Sequence, residues 1–110
     1  MVTQITGGIH KGRKIRSVKV NGLRPTSEMI RLAMFSIVGL DRIVKARVLD
    51  LYAGTGVLGI EALSRSAESA DFVEINSKCC REIRSNLEKI GLKDKGNVVR
   101  ADVSGILSKL

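Results

Sequence analysis

Residues 48–59 combine an apolar segment, an acid and a glycine-rich turn, a set that could bind a nucleotide-type cofactor. The run 47–51 predicts a buried strand and carries Asp50 near its end. Residues 54–59 then read Gly-Thr-Gly-Val-Leu-Gly and match the pattern GxGxxG, whose glycines allow a tight turn and close approach of the backbone to a ligand. The strand, the turn and a following helix therefore predict a cofactor site.

Glu74 adds a second acid at a useful distance. It stands 18 residues after Gly56, at the predicted end of the next strand. A carboxylate there can accept hydrogen bonds from the hydroxyls of a ribose. The structural alternative is that the glycines only make a tight turn and that Glu74 is a solvated strand end.

Asp50 indicates the class of ligand. A carboxylate beside the glycine turn would repel a pyrophosphate but would attract an ammonium or sulfonium group. S-Adenosylmethionine therefore fits this pattern better than a dinucleotide does. Asp102 follows the third predicted strand, where it could accept a hydrogen bond from the adenine amine or serve as the N-cap of the last segment.

The elements that position these acids alternate along residues 46–110. We predict strands at 47–51, 70–75 and 97–101, helices at 58–66 and 77–90, and a last helical turn or two at 104–110. This order is typical of an α/β fold and amounts to half of a doubly wound parallel sheet.

Two further elements precede this half. Short β-branched segments at 2–5 and 14–20, separated by glycines, predict a basic β-hairpin within residues 1–22. Residues 23–39 then contain an amphipathic helix with a candidate N-cap at Thr26 or Ser27 and an end at Gly39. Its apolar positions have helical spacing: Ile30, Ala33, Met34, Ile37 and Val38. All 110 residues form one domain in this interpretation.

The composition favours a polyanionic partner. The chain has a formal net charge of +8, and Glu28 is the only acid in its first third. Nucleic acid is the leading partner class, although charge alone is equally consistent with a solubilising surface. Only 3% of the residues are aromatic, which argues against a stacking platform for single-stranded bases.

The sequence also argues against a metal site, a disulfide framework and a membrane span. Cys79 and Cys80 are adjacent, a spacing that suits neither a zinc site nor a disulfide framework, and we expect them to be buried thiols. No apolar run reaches the length of a membrane span, and the N-terminus lacks the apolar core of a signal peptide. The sequence therefore predicts a cytoplasmic protein without a metal or a membrane contact.

Two blocks of sequence resemble one known family. Residues 50–56, Asp-Leu-Tyr-Ala-Gly-Thr-Gly, followed by Leu58–Arg65, resemble the RsmD-type methyltransferases, which modify a guanine exocyclic amine in small-subunit ribosomal RNA. Gly7-Gly8 with Lys11-Gly12-Arg13, and Leu23-Arg24-Pro25-Thr26 with Arg31 and Phe35, are similar to the opening hairpin and first helix of that family. The resemblance covers essentially the whole chain and implies a partial Rossmann-like, class I methyltransferase fold.

The resemblance also implies roles for individual residues. Those near the methionine and sulfonium part of S-adenosylmethionine would be Asp50, Ala53, Gly54 and Gly56. Glu74 would hold the ribose, and Asp102 with Val103 would lie at the adenine. Arg24 and Thr26 belong to a segment that closes the cofactor pocket, though a surface cation and an N-cap are the simpler interpretations. Ribosomal RNA or the small ribosomal subunit would be contacted by Lys11, Arg13 and Lys14, unless these are merely solvated charges.

The motif that holds the substrate amine in this family is not among these residues. That motif is an Asn or Asp followed by two prolines and an aromatic residue, and Pro25 is the only proline of the chain. We therefore expect a fragment with no catalytic residue of its own, an exposed sheet edge and a capacity for self-association through that edge. Two alternatives remain: a non-catalytic RNA-binding module with a vestigial cofactor site, and a fragment of a dinucleotide-binding oxidoreductase.

Overall fold

The computed structural model describes residues 2–17 and 26–109. In chain order these residues form β1 (Val2–Gln4), β2 (Lys14–Arg16), α1 (Glu28–Val38), α2 (Leu40–Ile43), β3 (Arg47–Leu51), α3 (Val57–Ser64), β4 (Ser69–Glu74), α4 (Ser77–Ile90), β5 (Gly96–Arg100) and α5 (Val103–Leu107). The predicted α/β order is confirmed. Residues 18–20, the second half of the predicted second strand, and Arg24 lie outside the described residues.

Strands β3, β4 and β5 form a parallel sheet in that order, and β1 pairs with β2 as a separate antiparallel ribbon. Helices α3 and α4 pack on the same face of the sheet, where the Phe72 side chain of β4 lies beside both helices. A Cβ added at Gly59 of α3 would lie 2.3 Å from the Phe72 ring, and one added at Gly96 would lie 2.6 Å from Leu87 of α4. Glycine at these positions lets the layers approach closely.

Helix α1 differs from the expectation in one respect. It begins after the Ser27 N-cap, whose hydroxyl accepts a hydrogen bond from Ile30 N, and it ends at Gly39, as predicted. The residues that define its apolar side are exposed, however, with Ile37 at 86%. The buried residue of this helix is Arg31. Helical spacing identified an apolar stripe, but a buried ion pair determines which side of α1 faces the protein.

Glu61 of α3 is the partner of Arg31, and both side chains are fully buried. Arg31 Nε lies 3.0 Å from Glu61 Oε2, an electrostatic contact without the alignment of a hydrogen bond. Arg65 Nη1 lies 2.7 Å from Glu61 Oε1, and Thr6 donates to the same carboxylate through its backbone N and its hydroxyl. The Arg65 guanidinium also stacks 4.3 Å over the ring of Phe35. One carboxylate thus joins the hairpin, α1 and α3.

The ribbon is further tied to the ends of both sheet helices. Ser64, at the end of α3, accepts backbone hydrogen bonds from Ile9 and His10 and donates its hydroxyl to Gly7 O. Asn86 of α4 accepts from Arg16 N at 3.1 Å and donates to Arg16 O at 2.6 Å. The hairpin is therefore an integral layer over α3 and α4.

The sheet is open on the side of β3. Within the described residues no strand pairs with the outer edge of β3, and Leu49 is 47% exposed. An apolar groove of about 280 Å³ runs beside this edge, between α1, β3 and α3. No helix in residues 2–17 and 26–109 has the length and apolar character needed to cross a membrane.

The Glu61 cluster gives a prediction for stability. Glu61→Gln removes the negative charge that compensates two buried guanidinium groups, so we expect the free energy of unfolding to fall by about 3–5 kcal/mol in urea titrations. Glu88→Gln, at an exposed position of α4, is the matched control and should change it by less than about 0.5 kcal/mol. Equal midpoints for the two variants would contradict the role given to Glu61.

Candidate cofactor site

The glycine turn between β3 and α3 is built from backbone conformations that side chains disfavour. Tyr52, Gly54 and Gly56 all have positive φ angles, of 56°, 56° and 76°. A Cβ added at Gly56 would lie 2.8 Å from Ile83 of α4, so a side chain there would displace the turn. The turn is also fixed to β4 by the hydrogen bond from Ala53 N to Val73 O, 3.0 Å long.

Two N–H groups of the first turn of α3 already have hydrogen-bond acceptors within the chain. Val57 N donates to Thr55 Oγ1, and Gly59 N donates to Asp50 Oδ2, both at 3.2 Å. In dinucleotide-binding folds these helix N-terminal amides hold the pyrophosphate. Here a hydroxyl and a carboxylate already occupy them, which disfavours a dinucleotide and agrees with the sequence interpretation of Asp50.

Asp50 is buried beneath the turn, on the helix side of β3. Burial raises the pKa of its carboxyl from 3.8 to about 6; the hydrogen bond from Gly59 N opposes this shift, and the charge of Glu74 adds to it. A cationic ligand group near the turn would favour the ionised form. Asp50 therefore stabilises the start of α3 and also supplies negative potential at the turn.

Glu74 bridges two loops at the end of β4. Its Oε1 accepts from Gly54 N at 2.9 Å, and its Oε2 accepts from Asn76 N at 2.7 Å. Each carboxylate oxygen keeps further acceptor capacity toward the solvent side, because an ionised carboxylate can accept about four hydrogen bonds. Glu74 is accordingly an ordered part of the glycine turn and is only partly buried.

A cleft of about 250 Å³ opens beside Glu74. It is lined by Tyr52, Glu74, Ile75, Ala101, Asp102 and Val103. Asp102 is the N-cap of α5, since its Oδ1 accepts from Ser104 N at 2.9 Å, which confirms that alternative. The structure thus brings three expected site residues, Glu74, Asp102 and Val103, into one cleft.

The other expected residues lie elsewhere. Thr26 borders a separate cleft of about 330 Å³, together with Thr55 and Glu28. Asp50 lines the apolar groove beside β3 instead of the Glu74 cleft. Lys11, Arg13 and Lys14 lie on the hairpin and belong to neither cleft. Arg24 lies outside the described residues.

Sequence reasoning missed three lining residues, Tyr52, Ile75 and Ala101. Tyr52 and Ile75 are 74% and 61% exposed beside the cleft, an unusual placement for large apolar side chains. Each follows a strand that ends at the glycine turn or at Glu74, so the carboxyl ends of β3 and β4 were the signal for them. The described residues contain no group of His, Cys, Asp and Glu side chains arranged to hold a metal ion.

The raised pKa of Asp50 predicts a specific pH dependence. The folded chain holds this proton more tightly than the unfolded chain, so the free energy of unfolding should fall as the pH rises from about 4 to about 6. Asp50→Asn keeps an oxygen for Gly59 N and abolishes this titration. We expect it to stabilise the chain at pH 7.5 by up to about 3 kcal/mol in urea titrations. The exposed Asp94→Asn is the control, and a destabilised Asp50→Asn chain would contradict this account.

Comparisons with known proteins agree with this geometry. The family model described as "Conserved hypothetical protein 95" matches residues 3–110. YlbH of Bacillus subtilis is 36% identical over 104 residues, an alignment that covers 94% of this chain and 56% of YlbH. Ribosomal RNA small subunit methyltransferase D of Buchnera aphidicola is 35% identical over 106 residues, covering 96% of this chain and 54% of that protein.

A solved structure, yhhF from Escherichia coli, superposes on 98% of this chain with a TM-score of 0.88 at 30% identity, and 57% of that structure is covered. The chain therefore spans about half the length of the curated relatives it matches. Because the family model matches residues 3–110 and the fold superposes on a solved relative, this chain belongs to the family described as "Conserved hypothetical protein 95". This is the RsmD-type family that its residues resemble.

Proposed function

We propose that this chain binds S-adenosylmethionine at the glycine turn and the adjoining cleft. The observation that carries the proposal is the position of Glu74, whose carboxylate is bonded to Gly54 N and also lines the cleft with Asp102 and Val103. A ribose held by Glu74 would extend its base toward Asp102 and its sulfonium side toward the turn. The relatives named as methyltransferases support this assignment.

The chemistry of the cleft fits this ligand. Two carboxylates can accept from hydroxyl and amine groups, while Ile75 and Val103 offer apolar surface for a base. None of the residues that line the cleft is cationic. Asp50 and Glu74 together provide the negative potential that a sulfonium and an ammonium group require.

We further propose that the complete reaction is methyl transfer to the exocyclic N2 of a guanine in small-subunit ribosomal RNA. S-Adenosylmethionine would supply an activated methyl group for direct transfer to that amine. The lone pair of an exocyclic amine is delocalised into the base, so the amine must be positioned closely in line with the methyl group. The proline-containing motif that does this in the family is not in these 110 residues. Our proposal is therefore that this chain supplies the cofactor-binding half.

The unpaired edge of β3 bears on the same proposal. The exposed apolar side of α1 and the groove beside β3 offer a large surface for another polypeptide segment. Self-association of the chain through this edge is part of the proposal, and sedimentation velocity at increasing protein concentration tests it.

Cofactor binding is the first test. Isothermal titration of the chain with S-adenosylmethionine should give one saturable site. Glu74→Gln removes a charged acceptor, so we expect the affinity of this variant for S-adenosylmethionine to fall by at least about tenfold. Glu88→Gln on the exposed side of α4 is the matched control and should bind normally. Tighter binding of NAD than of S-adenosylmethionine would contradict the proposal and favour a dinucleotide-binding protein.

Methyl transfer is the second test. With labelled S-adenosylmethionine and small-subunit ribosomal RNA, naked or in assembled subunits, we expect the 110-residue chain to show no sustained turnover. The reason is that the proline-containing motif, which holds the acceptor amine in the family, is not among these 110 residues. Multiple turnovers by this chain alone would contradict the assignment of a cofactor-binding half.

An RNA-binding module without cofactor chemistry is the second candidate function. The exposed cations of the hairpin favour it, because no ion pair in the described ranges involves them. A folded chain that binds RNA but fails to bind S-adenosylmethionine would establish this alternative.

A further inference from the structure

The outward face of β2 carries cations with no internal partner. Lys14 and Arg16 are exposed, whereas Ile15 between them is buried at 1%. Among residues 2–17 and 26–109, the only ion pairs are those of Glu61 with Arg31 and Arg65. The hairpin segment 2–17 contains no acidic residue at all. No carboxylate of the described residues therefore neutralises the cations of this segment.

The docking of β2 on α4 extends this face. Asn86, 1% exposed, satisfies both backbone groups of Arg16 and so closes the outer edge of β2 in the manner of a neighbouring strand. At the other end of the strand, Arg13 Nη2 donates to Lys89 O at 2.9 Å. The strand and the helix thus lie side by side over the length of β2.

Helix α4 presents its own cations beside the ribbon. Its exposed residues Lys78, Arg81, Ser85 and Lys89 have the spacing i, i+3, i+7 and i+11, which places them on one side of a helix. Lys89 is three residues after Asn86 and therefore adjoins the contact with β2. Of the two acids of this helix, Glu82 is half-buried and Glu88 lines a cleft on the β5 side.

The direction of α4 relates this face to the cofactor site. Ser77, the first residue of α4, follows Glu74 closely, whereas Lys89 lies about 18 Å further along the helix. The hairpin loop therefore sits at the end of the domain opposite the glycine turn. A ligand that contacted both the loop and the turn would have to be elongated and to run along β2 and α4.

We propose that the outward face of β2 and the exposed side of α4 form a single track for an RNA strand that leads toward the cofactor site. This track is defined by Lys14 and Arg16 of β2 and by Lys78, Arg81 and Lys89 of α4. Successive outward residues of a strand are about 6.7 Å apart, a separation similar to that of neighbouring phosphates on one nucleic acid strand. The inference rests on the proposed function, because RNA is the substrate class it assumes.

The composition of the track favours RNA over an acidic protein. Protein interfaces usually centre on buried aromatic or apolar anchors. The track contains no aromatic residue, and its members are charged or polar side chains apart from Val2, which is opposite Arg16 in the ribbon. Such a surface suits sequence-independent contacts to phosphates, which position an RNA without reading its bases.

The test is a salt series of binding to a labelled single-stranded RNA of mixed sequence. Two double variants each remove two cations: Lys14→Ala with Arg16→Ala, and Lys78→Ala with Arg81→Ala. The control pair, Arg42→Ala with Arg47→Ala, is exposed at the β3 side of the molecule. Loss of one phosphate contact should reduce the slope of log K against log salt by about 0.7 for a single strand. We expect a reduction of about 1.4 for each track pair and little change for the control.

Three outcomes would overturn the track. A control pair that reduces the slope as much as the track pairs would mean that affinity follows net charge alone. Unchanged slopes for both track pairs would place the RNA elsewhere. Tighter binding of poly-glutamate than of the RNA at equal salt would indicate an acidic protein partner.

Titration of the same variants with S-adenosylmethionine separates this test from the proposed function. Normal cofactor binding with impaired RNA binding supports the track. Failure of the unsubstituted chain to bind S-adenosylmethionine would refute the proposed function. The salt slopes of RNA binding would then test the track independently. Thermal midpoints equal to that of the unsubstituted chain show that the surface variants are folded.

Discussion

The charge of Glu61 is the constraint on which the arrangement of the described chain depends. Three segments that are far apart in sequence meet at this one carboxylate: the hairpin at Thr6, the first turn of α1 and the end of α3. Burying two guanidinium groups would be strongly unfavourable without it. The guanidinium of the second cation, Arg65, also stacks on the ring of Phe35 and donates a hydrogen bond to the Thr6 hydroxyl. The positions of the ribbon and α1 therefore depend on this buried ion cluster.

The same helix connects this cluster to the glycine turn. Glu61 lies two residues after Gly59, whose amide is bonded to Asp50 and whose missing side chain lets α3 approach Phe72. The start of α3 is therefore held by Asp50 and the sheet, and its end by the ribbon and Arg65. A carboxylate lies at each end of α3: Glu61 is paired with cations, and Asp50 accepts from the Gly59 amide. Only Asp50 lies near the proposed ligand.

Much of this fold follows from local patterns in the sequence. The bounds of α4 were predicted to the residue because Asn76 and Gly91 flank a strongly amphipathic segment. The three strands of the parallel sheet were predicted to within one residue at either end, whereas β2 ends at Arg16, short of the predicted 14–20. The cleft residues Glu74 and Asp102 also followed from the rule that ligands bind at the carboxyl ends of parallel strands, whereas Val103 was implied only by the resemblance to the family. Helix α2 was not predicted, since four residues carry too little periodicity.

The remaining differences come from long-range contacts. Nothing in the spacing of α1 indicates that Arg31 would be buried and Ile37 exposed, because that choice depends on Glu61, thirty residues later in the chain. In the same way, the pattern of β2 cannot show that a side-chain amide of α4 completes its edge. Local propensity predicts which elements form, whereas buried polar partners determine how they face one another.

The exposed ring of Tyr52 has a practical consequence. The chain contains no tryptophan, and Tyr52 is its single tyrosine. Because this phenol stands at the mouth of the Glu74 cleft, nearly all of the near-ultraviolet absorption and intrinsic fluorescence of the protein originates at that one place. The molecule thus carries a built-in optical reporter, whose signal describes the surroundings of the cleft and is almost silent about the ribbon, α1 and α4.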